Sequence, residues 1–168
     1  MTILNIAQNL VKTIQKSEFK DFYTNELSLE KDVYNILRNS LAKILNLKDR
    51  ELDDKIFTHG ETREEKKRWS STKVWQDVII CGTRNTSDIV IRLSEKDTIA
   101  IQLKYARGRI TTSIQTVIGQ CIIASLRHPA VIGLVFTNRK KECKEATFKK
   151  LLKKLKGFNI FLVIKNLT

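Results

Sequence analysis

Two short stretches decide the fold: Ser87-Asp88-Ile89-Val90-Ile91-Arg92, and Thr98-Ile99-Ala100-Ile101-Gln102-Leu103-Lys104-Tyr105. Each reads as a β-strand, and Ser94-Glu95-Lys96-Asp97 between them reads as a tight turn. In a strand, residues two apart share a face. Gln102 and Lys104 therefore point one way, and Ile99, Ile101 and Leu103 the other. A lysine and an amide beside Asp88, on otherwise apolar strands, are costly to bury unless paired or used. The stretch is accordingly read as a site.

Working outward, Ile3, Ile6, Ala7, Leu10, Val11 and Ile14 recur at helical spacing and predict an amphipathic N-terminal helix within residues 1–25. A second helix is placed from Ser28, taken as its N-cap, with the stripe Leu29, Val33, Ile36, Leu37, Leu41, Ile44 and Leu45. Glu30 falls at the margin of that stripe. Residues 48–73 are the most polar part, and Glu61 to Arg68 offers no buried face, fitting a loop or an exposed helical extension. Val74–Cys81 reads as a strand and Gly82–Ser87 as a hairpin connection. After Gly108 the pattern predicts a helix from Thr112 to Arg127, with Ile114, Val117, Ile118, Cys121 and Ile122 on its apolar face. His128-Pro129 ends it. Ala130–Thr137 reads as a strand buried on both faces. Asn138 is placed as the cap of a basic helix to Lys156, and Asn159–Ile164 closes the chain as a strand.

The chain has 168 residues, 42% of them apolar, enough for one domain with a sizeable core. Thirty-one Lys+Arg against 18 Asp+Glu give a net charge of +13, which attracts polyanions, nucleic acid first among them. No signal-peptide pattern and no apolar run of membrane-spanning length is visible, so no membrane partner is expected and the location is read as cytoplasmic. Cys81, Cys121 and Cys143 form no CxxC pair and are read as reduced. His59 and His128 have no neighbours that suggest zinc.

Aspartate, 13 intervening residues, then Gln-x-Lys on the next strand, with a helix before and helix-strand after, resembles the PD-(D/E)XK nuclease superfamily. In size and layout the small archaeal and viral nucleases and the archaeal Holliday junction resolvases are most similar. The resemblance covers residues 28–137 and implies an α/β fold. Its αβββαβ restriction-endonuclease-like core would be a mixed β-sheet flanked by helices, with an extra N-terminal helix and a C-terminal αβ extension (138–168). It implies a Mg²⁺-dependent DNA endonuclease, with Mn²⁺ able to substitute and no small-molecule cofactor. Asp88 matches the metal-binding aspartate and Lys104 the lysine that orients water or stabilises phosphate charge. Glu30 matches an acidic residue supplied by the first helix, and Gln120 a glutamine on the helix after the motif. Gln102 stands where the family usually has a carboxylate. It adds a ligand oxygen without charge, so the same fold as an inactive nucleic-acid-binding protein is the alternative. A homodimer would suit cutting both strands of a duplex or a branched junction.

Each of these residues also has a plainer reading. Asp88 fits a turn, Lys104 an edge strand, Gln102 a core hydrogen bond, Glu30 a helix first turn and Gln120 a helix surface. From Gln102 to His128 the chain carries Lys104, Arg107, Arg109 and Arg127 and no acid. Arg107 and Arg109, around Gly108, are expected at phosphates, with Lys73 and Arg84 as further nucleic-acid contacts. Trp69 and Trp75 fit base stacking, the core or a dimer interface. From Asn138 to Lys156, nine Lys or Arg stand against Glu142 and Glu145. That run fits either a solvated face or a nucleic-acid contact.

Overall fold

The computed structural model describes residues 1–58, 62–71, 77–80, 83–138 and 146–167. Helix α1 (Ile3–Lys16) starts where Thr2 Oγ1 accepts from the Asn5 N–H at 3.3 Å. Its stripe Ile6, Ala7, Leu10 and Ile14 is buried. Helix α2 (Glu26–Leu45) buries Leu29, Val33, Leu37 and Leu41 and packs onto α1 and β5, joined to α1 where Thr13 Oγ1 and Ser40 Oγ lie 3.0 Å apart. Its N-cap is Asn25, not Ser28: Asn25 Oδ1 accepts from both the Ser28 N–H and the Ser28 hydroxyl at 2.7 Å. The helix ends at Asn46, whose φ of 53° is the left-handed conformation that asparagine tolerates.

The polar stretch folds more than its composition suggests. It contains α3 (Asp49–Leu52), β1 (Ile56–Thr58) and α4 (Arg63–Ser71). Trp69 of α4 is buried against Phe57 and Val90, so it is a core residue rather than a base-stacking one. Strands β2 (Asp77–Ile80) and β3 (Thr83–Thr86) pair only with each other. The expected turn at 82–87 is thus largely strand, and the expected 74–81 strand lies outside the main sheet. Its first three positions, Val74, Trp75 and Gln76, lie outside the described set, as do Lys73, His59, Cys81 and Cys143.

The main sheet is formed by β1, β4 (Ile89–Arg92), β5 (Thr98–Ala106), β6 (Ala130–Thr137) and β7 (Ile160–Asn166), in that order. β1, β4 and β5 are antiparallel neighbours, whereas β5, β6 and β7 run parallel. Between β5 and β6 comes α5 (Ile110–Ser125), and between β6 and β7 comes α6 (Ala146–Gly157). The α5 stripe is Ile110, Ile114, Val117, Cys121 and Ala124; Ile122, expected inside, is half exposed because it lies on the outer side of the helix. The expected cap at Asn138 bears on residues 139–145, which lie outside the described set; the Asn138 amide donates to the Asp21 carbonyl at 2.8 Å.

Strand alternation sorts the core into two layers. Ile89, Ile91, Ile99, Ile101, Leu103, Ile132, Leu134 and Phe136 face α1 and α2. Ala100, Ala106, Val131 and Val135 face α5, with Leu155 of α6. Each fully buried Ile or Leu contributes about 1.5–3 kcal/mol. α1 therefore covers the sheet. Gly133 admits α5 closely: a Cβ there would lie 2.8 Å from both Cys121 Sγ and Val117 Cγ1. The α/β class and the mixed sheet flanked by helices are as expected. Among the described residues no helix is long and apolar enough to cross a membrane.

Candidate functional site

β5 outruns its neighbour. β4 pairs with it only from Thr98 to Ile101, so beyond Ile101 the backbone N–H groups on that side have no strand to bond. Buried strand donors need acceptors. Two carboxylates supply them. Asp88 donates its N–H to the Ile101 carbonyl at 3.1 Å, and its Oδ2 accepts from the Leu103 N–H at 2.6 Å. Glu26 Oε1 accepts from the Tyr105 N–H at 2.9 Å, while its Oε2 accepts from Lys104 Nζ at 3.0 Å. The open flank of β5 is thus lined with acidic groups, with Lys104 between the two bonded N–H positions and Gln102 just before them.

Gln102 is almost completely buried. Its Nε2 donates to Ser87 Oγ at 3.1 Å, and its Oε1 has no donor. An amide oxygen left without a donor in the interior is costly, which marks a place where a ligand would be welcome. Gln120 on α5 has the same defect at its Oε1.

Glu30, one helical turn after Glu26, accepts a short hydrogen bond from Thr58 Oγ1 on β1. Burial pushes the Glu30 carboxyl up to about 7, against the opposing Thr58 bond, and the negative charges of Asp88, Glu26 and Glu65 raise it further. Burial likewise pushes Asp88 up to about 6; the Leu103 N–H lowers it, Glu26 raises it and Lys104 lowers it. Glu26, Glu30, Asp88 and Lys104 therefore feel one another. Among the described residues, no group of three or more His, Cys, Asp or Glu side chains is placed to hold a metal ion. A site here would rest on two carboxylates and an amide oxygen.

Glu26 is the residue the sequence reading missed. With Ser28 as N-cap it fell outside the helix; with Asn25 as N-cap, Glu26 and Glu30 stand four apart on one face. Arg107 is exposed, and its guanidinium donates to the Thr24 carbonyl and lies 5.5 Å from the Tyr105 ring. It fastens the loop before α2 to the end of β5. Arg109 occupies the N-cap position of α5 and is exposed, next to an open Gly108. Arg84 falls on β3, with its side chain outside the described set. Comparison with protein-family models, curated proteins and solved structures gave no match.

Proposed function

We propose that this chain is a divalent-metal-dependent DNA endonuclease with a PD-(D/E)XK-type site. The observation that supports the reading is the grouping of Asp88, Glu26 and Lys104 along one open strand flank, with Glu30 of α2 near enough to feel Asp88 and Glu26, and the donor-less oxygen of Gln102 on the same strand. The donor set is all oxygen, as a hard cation requires. Mg²⁺ in phosphoryl chemistry is commonly held by one or two carboxylates and keeps several waters. Asp88, Glu30 and Gln102 Oε1 fit that description and would hold it. Bound there, the ion would polarise a phosphoryl oxygen and lower the pKa of a water.

The chain's own groups do the rest. The Glu30 carboxyl, raised to about 7, is partly protonated near neutrality, and a cation held there would displace that proton. Lys104, kept in place by Glu26, presents an ammonium to charge developing on the phosphate. Arg109, at the exposed N-terminus of α5, is positioned for a flanking phosphate.

The second reading is a nucleic-acid-binding protein without hydrolysis. It is favoured by the two carboxylates that already serve as acceptors for the Leu103 and Tyr105 N–H groups. Incubation with plasmid, linear and four-way-junction DNA in Mg²⁺ or Mn²⁺ separates the two. Cleavage that EDTA stops supports the nuclease. Retardation of every substrate in a gel with no cut product supports the binder. A homodimer remains part of the proposal, tested by sedimentation with and without DNA.

A further inference from the structure

We infer that the lysine face of α6 is a second docking surface, one that takes the phosphate backbone of nucleic acid without regard to sequence. The inference rests on the DNA-partner half of the reading above and not on hydrolysis. Lys149, Lys150, Lys153, Lys154 and Lys156 are all exposed. None of them has an ion pair or hydrogen bond among the described residues, and no acid occurs from Ala146 to Phe158. Some cations elsewhere do have partners: Lys20 with Asp32, Arg38 with Asp53, Lys104 with Glu26, and Lys165 with the Gln15 carbonyl.

Helix stability does not explain this placement. Lysines in the last turn complement the negative end of the helix dipole, which accounts for Lys154 and Lys156. Lys149 and Lys150 lie near the opposite end, where positive charge is disfavoured and the helix itself carries no acid. The pairs Lys149–Lys153 and Lys150–Lys154 place like charges four apart, which further destabilises the helix. A polyanion removes both penalties.

The packing of α6 chooses among polyanions. Its apolar side, Phe148, Leu151 and Leu155, is committed to the core layer shared with Ile160 and Ile164 of β7. A helix that lies in a membrane needs that side free to enter the acyl boundary. What remains is a row of flexible point charges, the side-chain type that contacts phosphates without reading bases. α6 also packs on the sheet layer that faces α5, the layer from which Gln102 and Lys104 alternate away from Leu103.

The test is fluorescence anisotropy of a labelled duplex, in EDTA, across a salt series. It compares wild type, the quadruple variant Lys149→Gln/Lys150→Gln/Lys153→Gln/Lys154→Gln and its Lys→Arg counterpart. The Gln variant should bind about tenfold weaker or worse, and its log Kd against log salt slope should flatten by about 3.6, near 0.9 per lost contact. The Arg variant should bind like wild type. Circular dichroism establishes that the Gln variant is folded. An unchanged slope in the folded Gln variant overturns the inference, even if wild type cuts DNA. Loss of binding confined to that variant supports it, even if no DNA is cut. Binding to vesicles of anionic lipid that depends on these lysines, with no such dependence for DNA, also overturns it.

Discussion

The two ends of β5 solve the same problem in opposite ways. At its start, Thr98 and His128 are buried together, with Thr98 Oγ1 and His128 Nδ1 2.9 Å apart. Burial, helped by Arg127, lowers the His128 imidazole to about 4, so the pair is neutral, with His128 Nε2 left without a partner among the described residues. At its far end β4 has stopped, and the donors of β5 are met by charged groups, Asp88 and Glu26, beside Lys104. Burial there pushes carboxyls up rather than an imidazole down. A neutral pair suffices to finish a strand; three acids and a lysine exceed what strand-capping requires. That surplus is the physical basis for reading the far end as a site.

The largest effect should come from removing charge at the far end with little change in shape. Asp88→Asn retains an oxygen for the Leu103 N–H, yet metal-dependent cleavage should fall at least ~100-fold in a plasmid assay, as loss of a charge-stabilising group does. Lys104→Met should do the same. If either variant cuts at the wild-type rate, the far end is only a strand cap.

The two ends should also respond oppositely to pH in metal-free protein. Glu30 and Asp88 have native values above their ordinary ones, so the native state binds more protons than the unfolded one between about pH 4 and 7. Their contribution to stability falls as pH rises through that window. His128 has a native value below its ordinary one, so its contribution is full above about 6.5 and is lost as pH drops toward 4. Glu30→Gln/Asp88→Asn should therefore raise Tm at pH 7, and its Tm should climb from pH 4 to 6.5, unlike that of wild type. Added Mg²⁺ should raise the wild-type Tm more at pH 7.5 than at pH 5.

Gln102→Glu sharpens the same contrast. It adds a buried carboxyl beside Asp88, so metal-free Tm should drop, by an amount that corresponds to about 1–3 kcal/mol. Saturating Mg²⁺ should restore it and lower the metal concentration needed for cleavage. The smallest effect belongs to Glu26→Gln. The Glu26–Lys104 pair is half exposed, so its loss should cost about 1 kcal/mol or less in urea melts and only a few-fold in cleavage.

Much of this contrast was legible in the sequence. β4, β5, the alternation of Gln102 and Lys104 against Ile101 and Leu103, and the fully buried β6 follow from period and composition. β1 was not legible, because three residues are too few to display a period and its place is set by pairing with β4. Trp69 looked exposed because α4 is otherwise polar; only Phe57 and Val90 beneath it give the helix a buried side. The start of α2 was ambiguous because Asn25 and Ser28 are both good N-caps, and that ambiguity hid Glu26. The donor-less Gln102 oxygen is a tertiary fact that no local pattern encodes.

The central claim is that the far end of β5 holds a divalent cation. Calorimetric titration of Mn²⁺ into the full chain at pH 7.5 tests it directly. One ion per chain, with proton release and with binding lost in Asp88→Asn but kept in His128→Gln, is the predicted result. No binding, or binding that Asp88→Asn leaves unchanged, would contradict it.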